Sequence, residues 1–189
     1  MRVKVSAPRH VAVHEAGHAV AGWALNKQHG WAHPPFEWIG IEEGKAAASG
    51  RGCVSRVLLH NVQDGRLVNT RFPQVRDKQS IITYCEHDFI CIAAGPLAQA
   101  KYQRKSLLWA LVSSGYADAD AGSLLLDHRY FPLTGLSTAQ HLVRRARNLV
   151  NTHWPAINAL ADALLAQRRL ETDKAVAIIE AVGLNSMPL

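Results

Sequence analysis

The sequence predicts an α+β protein that is mainly helical and contains one small β-sheet. Apolar residues recur with helical spacing over about residues 6–26, 77–104 and 137–182. Strand-like segments are confined to about residues 36–60. The chain has 189 residues, of which 48% are hydrophobic and 19% charged, which indicates a globular protein rather than a disordered one. Because no linker or repeat interrupts it, we interpret residues 1–189 as a single domain.

Local signals place the first elements. Ser6 is a suitable cap for the first helix, and Pro8 is tolerated in its first turn. The Gly- and Pro-rich residues 27–35 end that helix. Within residues 36–60 the strands flank a loop at residues 42–52.

The remaining elements are helical. The second helix covers about residues 77–104, and the pair Gly95-Pro96 predicts a kink or a split in it. A turn and a third helix follow, reaching about Tyr130. The later boundaries rest on a capping box at Ser137 and Gln140, a junction at Pro155, and a last helix from Thr172 to about Val182 that Gly183 ends.

Composition restricts the cellular setting and the partners. The net charge of +6 comes from scattered basic residues, so it predicts nucleic-acid binding only weakly. Cys53, Cys85 and Cys91 are odd in number and form no CxxC pair, which indicates free thiols in a reducing compartment. No apolar run is long enough to span a membrane or to form a signal peptide. We therefore expect a soluble, cytoplasmic protein.

The motif HEAGH, residues 14–18, carries the clearest chemistry. On a helix His14 and His18 lie on one face about 6 Å apart along the axis, so both imidazoles can bind one metal ion. Glu15 projects about 100° away from His14, which leaves it free to act as a general base on a zinc-activated water. The alternative is an amphipathic helix with two surface histidines. The small, apolar residues around the motif favour a buried metal site, since buried polar groups need partners.

HEAGHAV resembles the zinc helix of the FtsH-type metalloproteases. Residues 92–102, IAAGPLAQAKY, resemble that family's Gly-Gly-Arg-Ala-Ala-Glu-Glu segment, and more closely its Ala-Gly-Pro-Ala-Ala-Glu form in small stand-alone relatives. Residues 113–122 are similar to the Gly-rich stretch that ends in the family's third zinc ligand, and residues 153–179 to its last helices. The resemblance covers most of the chain and implies a zincin-like fold with a C-terminal helical bundle and one Zn²⁺ per chain.

Two departures from the family pattern matter. The phosphate-binding motif GxxxxGK[ST] does not occur, because the segment GIEEGKA at residues 40–46 is one residue short and lacks the hydroxyl. The resemblance therefore implies a peptidase domain without its own ATPase, which a separate ATPase could serve. Gln99 also stands where the relatives usually have Glu, which weakens the transfer of a carboxylate role to that position.

A catalytic zinc site has three protein ligands, and the resemblance leaves the third open between Asp118 and Asp120. Helical spacing favours Asp118, because the positions four, seven and eight residues later are Gly122, Leu125 and Leu126, which form a packable face. The same offsets from Asp120 end on Asp127 and His128. Both aspartates also suit the first turn of a helix without any metal.

Two other candidates are weaker. Cys53 lies in RGCVS, which is similar to the metal motif of the peptide deformylases, but there the cysteine precedes the HExxH helix. His87 faces away from the apolar stripe of its helix, so we interpret it as a solvated side chain.

The predicted function is zinc-dependent hydrolysis of peptide bonds in unfolded proteins or peptides. His14, His18 and an aspartate hold the metal, and Glu15 is the base. A non-cleaving zinc-containing binding module of the same fold is the main alternative, and a deformylase-like amidase is the second. An oligomer is possible, and a nucleic-acid partner is the least favoured alternative.

Overall fold

The computed structural model describes residues 9–31, 36–42, 51–56, 61–63, 66–68, 77–109 and 116–184. These residues are mainly helical, as predicted. The helices are α1 (Arg9–His29), α2 (Lys78–Gln103), α3 (Tyr116–Leu125), a π-helical turn (Leu126–Tyr130), α4 (Phe131–Thr134), α5 (Gln140–Thr152), α6 (Trp154–Gln167) and α7 (Thr172–Leu184). The strands are β1 (Phe36–Glu42), β2 (Arg51–Arg56), β3 (Asn61–Gln63), β4 (Arg66–Val68) and β5 (Arg169–Glu171).

The main sheet has the order β2-β1-β5, and both pairs are antiparallel. In the centre of the sheet, Ile39 is opposite Val54 on one side and Leu170 on the other. Strands β3 and β4 form a separate antiparallel pair. The sequence predicted strands only within residues 36–60, so β5 in particular is a finding of the structure. Its three residues are too few to show a strand period.

Helix α1 is the central element of the fold. It packs against α2, α6, β1 and β2, and every residue from Val11 to Gly22 is buried. A helix enclosed in this way must be apolar on all sides, which the run of valines and alanines provides. The helix continues to His29, three residues beyond the predicted end, and its start at Arg9 leaves the predicted cap Ser6 and Pro8 outside the described residues.

Gly17 permits the close approach of α1 to α2. A Cβ atom there would lie 2.8 Å from the carbonyl oxygen of Ala94 and 2.8 Å from the Cβ of Ala98. Neither neighbour belongs to a flexible side chain, so the two helices would have to separate.

We therefore expect Gly17→Ala to lower the free energy of unfolding by about 1–3 kcal/mol, the usual cost of overpacking a core. The control is Gly122→Ala in α3, where a Cβ would meet Ile92 and Phe89 at an ordinary 3.5 Å. That change should be neutral or stabilising by up to about 1 kcal/mol, because alanine favours helix. Denaturant unfolding of both variants measures the difference, and equal stabilities would contradict the close helix contact.

Helix α2 agrees with its predicted range, and Asp77 caps it by accepting a hydrogen bond of 2.8 Å from the Ser80 backbone N–H. The predicted split at Gly95-Pro96 is wrong, because one helix runs through both residues. Proline removes a single backbone donor. The buried packing of this segment against α1 keeps the helix together.

The C-terminal helices are confirmed in number but not in all boundaries. Buried residues of α5 (Leu142, Ala146, Val150) and α6 (Ile157, Leu160, Ala161, Leu164) lie on the predicted faces. The junction falls at His153, and Pro155 occupies the first turn of α6. The capping box is wrong, since Ala139 is the N-cap and makes no side-chain cap bond. Gly183 does not end α7, which includes it and extends to Leu184.

Among the described residues, no helix combines the length and the apolar character that crossing a membrane requires. Most of the predicted loop at residues 42–52 lies outside the described residues.

Candidate metal centre

Helices α1 and α3 bring three potential metal ligands together. His14 and His18 project from successive turns of α1, and their Nε2 atoms are 3.0 Å apart. Asp118, in the first turn of α3, places Oδ2 2.8 Å from His14 Nε2 and 3.3 Å from His18 Nε2. All three side chains are buried or largely buried, with 9%, 5% and 14% of the side chain exposed. We call these three residues the donor triad.

Carbonyl oxygens orient both imidazoles through contacts at their Nδ1 atoms. His14 Nδ1 lies 2.9 Å from Gln99 Oε1, and His18 Nδ1 lies 2.8 Å from the backbone oxygen of Cys91. The Gln99 amide is itself oriented, because its Nε2 donates to Gln103 Oε1 at 3.2 Å. Since a carbonyl oxygen only accepts, each Nδ1 carries a proton and donates it.

This tautomer directs the Nε2 lone pairs of both histidines towards the Asp118 carboxylate. Three electron-rich atoms at 2.8–3.3 Å repel one another unless a positive charge lies between them. A proton can bridge two of the atoms, whereas a metal ion can bind all three. The triad is the one His/Cys/Asp/Glu group in the described residues whose ligand atoms all lie within 4.8 Å of one another.

The electrostatics of the triad are strongly coupled. Burial by itself raises the pKa of the Asp118 carboxyl, but His18 and His14 together hold that pKa far below its usual range. Burial lowers the pKa of His14, but the hydrogen bond that the protonated ring donates to Asp118 and the charge of Glu15 bring about a net rise. Asp118 therefore remains a carboxylate at neutral pH. A metal ion must displace the proton that His14 and Asp118 otherwise share.

Glu15 follows His14 directly on α1 and is buried, with 6% of its surface exposed. Its negative charge is close enough to His14 to raise the pKa of that imidazole. A buried carboxylate next to the triad is a suitable proton acceptor for a reacting water molecule.

Gly95 makes room for the His18 ring. A Cβ at this position would lie 2.3 Å from His18 Nε2 and 2.4 Å from its Cε1. The Gly95-Pro96 pair, interpreted from the sequence as a helix breaker, thus provides space for an imidazole. Nothing in the spacing of the sequence signalled this contact, because it joins residues 77 positions apart in the chain.

The two aspartates that are candidates for the third ligand differ in their surroundings. Asp118 contacts both histidines, whereas Asp120 is exposed on the same helix. The face predicted behind Asp118 is present, since Gly122 is buried near Phe89 and Ile92. Leu125 and Leu126 are partly buried, and Asp127 and His128 are exposed.

The other sequence candidates have different outcomes. The side chain of Cys53 lies outside the described residues. The interpretation of His87 as solvated is wrong, because it is 7% exposed and lies 3.1 Å from Asn26 Oδ1. The C-terminal end of α1 and Trp31 cover it, and an apolar stripe read from α2 alone gives no sign of them.

No protein-family model matches the chain, and no curated protein matches it significantly. The function is therefore inferred from the residues and their geometry.

Proposed function

We propose that this chain is a zinc-dependent metallopeptidase with a zincin-like fold, related to the FtsH-type peptidase domains. The observation that carries the proposal is the donor triad, in which both histidines of an HExxH helix and a carboxylate from another helix converge. Two imidazoles and one carboxylate are a usual ligand set for catalytic zinc, which keeps a fourth position for water or substrate. Metal-ligating histidines usually donate their other ring N–H to a carbonyl or carboxylate oxygen. His14 and His18 each have such a carbonyl partner at Nδ1.

Different residues of the chain bind the metal, orient its ligands and transfer the proton. His14, His18 and Asp118 would hold the ion, and Gln99 and the Cys91 carbonyl keep both rings in the metal-binding tautomer. Bound zinc supplies Lewis acidity, which acidifies water and polarises the peptide carbonyl. Glu15 accepts the proton of the attacking water and returns it to the departing amine.

The sheet offers a way to bind an extended substrate. Strand β2 packs near α1 and lies at an edge of the order β2-β1-β5, so one of its sides has no paired strand among the described residues. An unfolded segment could add there as a further strand, with backbone hydrogen bonds that do not depend on its sequence. This binding mode suits a peptidase for unfolded chains. Folded substrates would have to be unfolded before they could bind in this way.

Metal content and cleavage, measured together, test the proposal. We expect about one zinc per chain and cleavage of an unfolded casein-type substrate without nucleotide. Cleavage should stop with a chelator and return when zinc is restored. His14→Ala and His18→Ala should each lose most of the metal, and His128→Ala, an exposed histidine beyond α3, is the matched control. Full zinc retention in both ligand variants would refute the zinc site.

The same preparation distinguishes the alternatives. Zinc binding without cleavage of several unfolded substrates would favour the non-cleaving module. Removal of a formyl group from a short peptide, without internal cleavage, would favour the amidase.

A further inference from the structure

A groove lies between the C-terminal half of α1 and helix α5, and none of the residues that line it belongs to the donor triad. Its volume of about 560 Å³ is within the range of about 300–1,000 Å³ that is usual for small-ligand sites. Three helices contribute the apolar part of its lining: Ala24, Leu25, Ile90 and Leu149. Leu25 and Ile90 are 2% and 1% exposed, so the floor of this α1–α5 groove is continuous with the protein core.

The charged side chains that line the α1–α5 groove are cations. Lys27 comes from α1 and Arg145 from α5, and the described residues of the lining include no carboxylate. Burial lowers the pKa of His153, a further lining residue, so its ring is neutral at neutral pH. Gln28 and Asn148 add exposed side-chain amides with N–H groups. An anionic group in the groove therefore meets N–H donors and positive charge, whereas a cation would be repelled.

Carboxylates outside the lining hold both cations in place. Arg145 Nη1 donates to Glu86 Oε2 at 2.7 Å, and the Tyr130 hydroxyl donates to the other oxygen of Glu86 at 3.1 Å. Lys27 Nζ lies 2.7 Å from Glu180 Oε1. Each pair occupies only some of the donors of its cation, because a guanidinium has five N–H groups and an ammonium has three. The carboxylates weaken the long-range field of the cations but fix their positions, which lowers the entropy cost of binding a ligand.

We propose that the α1–α5 groove is a binding site for a small organic anion with an apolar body. The body packs on Leu25, Ile90 and Leu149. The anionic group accepts hydrogen bonds from the N–H groups of Lys27 and Arg145. A purely apolar ligand would cover these donors without replacing their bonds to water, and an inorganic anion would leave the apolar floor wet. An amphipathic anion satisfies both parts of the lining. The proposal is independent of the peptidase function.

The first test compares two fluorescent probes on the full chain. Anilinonaphthalene sulfonate has an apolar body and one anionic group, and phenylnaphthylamine is the same molecule without the sulfonate. Fluorescence titration should show one sulfonate probe bound per chain, at least about tenfold more tightly than the neutral probe, since a hydrogen bond to a charged group contributes at least that much affinity. Equal affinities, tighter binding of the neutral probe, or no binding of the sulfonate would overturn the proposal.

The second test locates the bound probe. Ala24→Phe fills the groove from a partly exposed position of α1 and should abolish the binding of both probes. Arg145→Gln should weaken the sulfonate about tenfold and leave the neutral probe unchanged. The matched control is Lys105→Gln, which removes an exposed cation outside the groove, 5.8 Å from the Trp109 ring, and should change neither affinity.

The control also tests the other exposed apolar surface that could attract a dye, since Leu108 and Trp109 are 72% and 39% exposed. Weaker sulfonate binding in Lys105→Gln, with unchanged binding in Arg145→Gln, would place the probe at that surface and overturn the proposal. Full binding in a folded Ala24→Phe protein would overturn it as well. Far-UV circular dichroism verifies folding. If Arg145→Gln unfolds because Glu86 loses its partner, Lys27→Gln replaces it, with the same expected loss.

Discussion

Replacing Asp118 with alanine is expected to remove most of the bound zinc, while Asp120→Ala leaves the zinc content unchanged. Asp118 is the one carboxylate in the described residues that contacts both motif histidines, at 2.8 and 3.3 Å. Loss of a carbonyl partner behind a ligand typically costs 10- to 100-fold in metal affinity, so loss of a ligand should cost more than about 100-fold. Asp120 is exposed two residues later on the same helix, which makes it a control of equal charge.

Metal titration of both variants and the parent, with far-UV circular dichroism to verify folding, measures this. Cleavage should follow the zinc content in each sample. A greater loss of zinc in Asp120→Ala would mean that α3 turns a different face towards the two histidines, and Asp120 would then replace Asp118 as the third ligand. Equal retention in both variants would remove the third ligand from the proposal altogether.

The sequence was sufficient to predict the helical elements with strong apolar periodicity. α2 and the buried faces of α5 and α6 follow from local spacing, because side chains three and four residues apart share one face of a helix. The errors are at helix ends and in short strands. The predicted capping box at Ser137 failed because the helix begins at the Ala139 carbonyl, which accepts from Leu142 and Val143. Strand β5 exists through its pairing with β1, some 130 residues earlier in the chain.

The candidate site shows the same division between local and long-range information. A five-residue motif was enough to propose His14, Glu15 and His18, since their spacing lies within one helix. The supporting contacts come from α2 and are long-range: Gln99 and the Cys91 carbonyl orient the rings, and Gly95 makes space for one of them. Gln99 differs from the glutamate expected from the resemblance, yet its amide oxygen meets the same need for an acceptor at His14 Nδ1.

Glu15→Gln is expected to keep the zinc and abolish most of the cleavage. Glutamine has nearly the same size and shape as glutamate, and Glu15 is not among the three residues whose ligand atoms converge. Zinc content and folding should therefore change little. The amide does not accept the proton of an attacking water molecule at neutral pH, and general-base catalysis typically contributes about 10²- to 10⁴-fold. We expect the rate of peptide cleavage to fall by a factor of at least about 10² to 10⁴.

Zinc stoichiometry and cleavage must be measured on the same Glu15→Gln sample, because a lost ligand would remove metal and activity together. Glu180→Gln removes the same charge from α7, where Glu180 pairs with Lys27 at the C-terminal end of α1, and should cleave at the parental rate. Retained zinc with unchanged cleavage in Glu15→Gln would show that another group accepts the proton. Loss of zinc in this variant would instead place the Glu15 carboxylate among the ligands, as a fourth protein donor beside the triad. Retained zinc with strongly reduced cleavage is the result that distinguishes a peptidase from a metal-binding module, because only catalysis requires a base beside the metal.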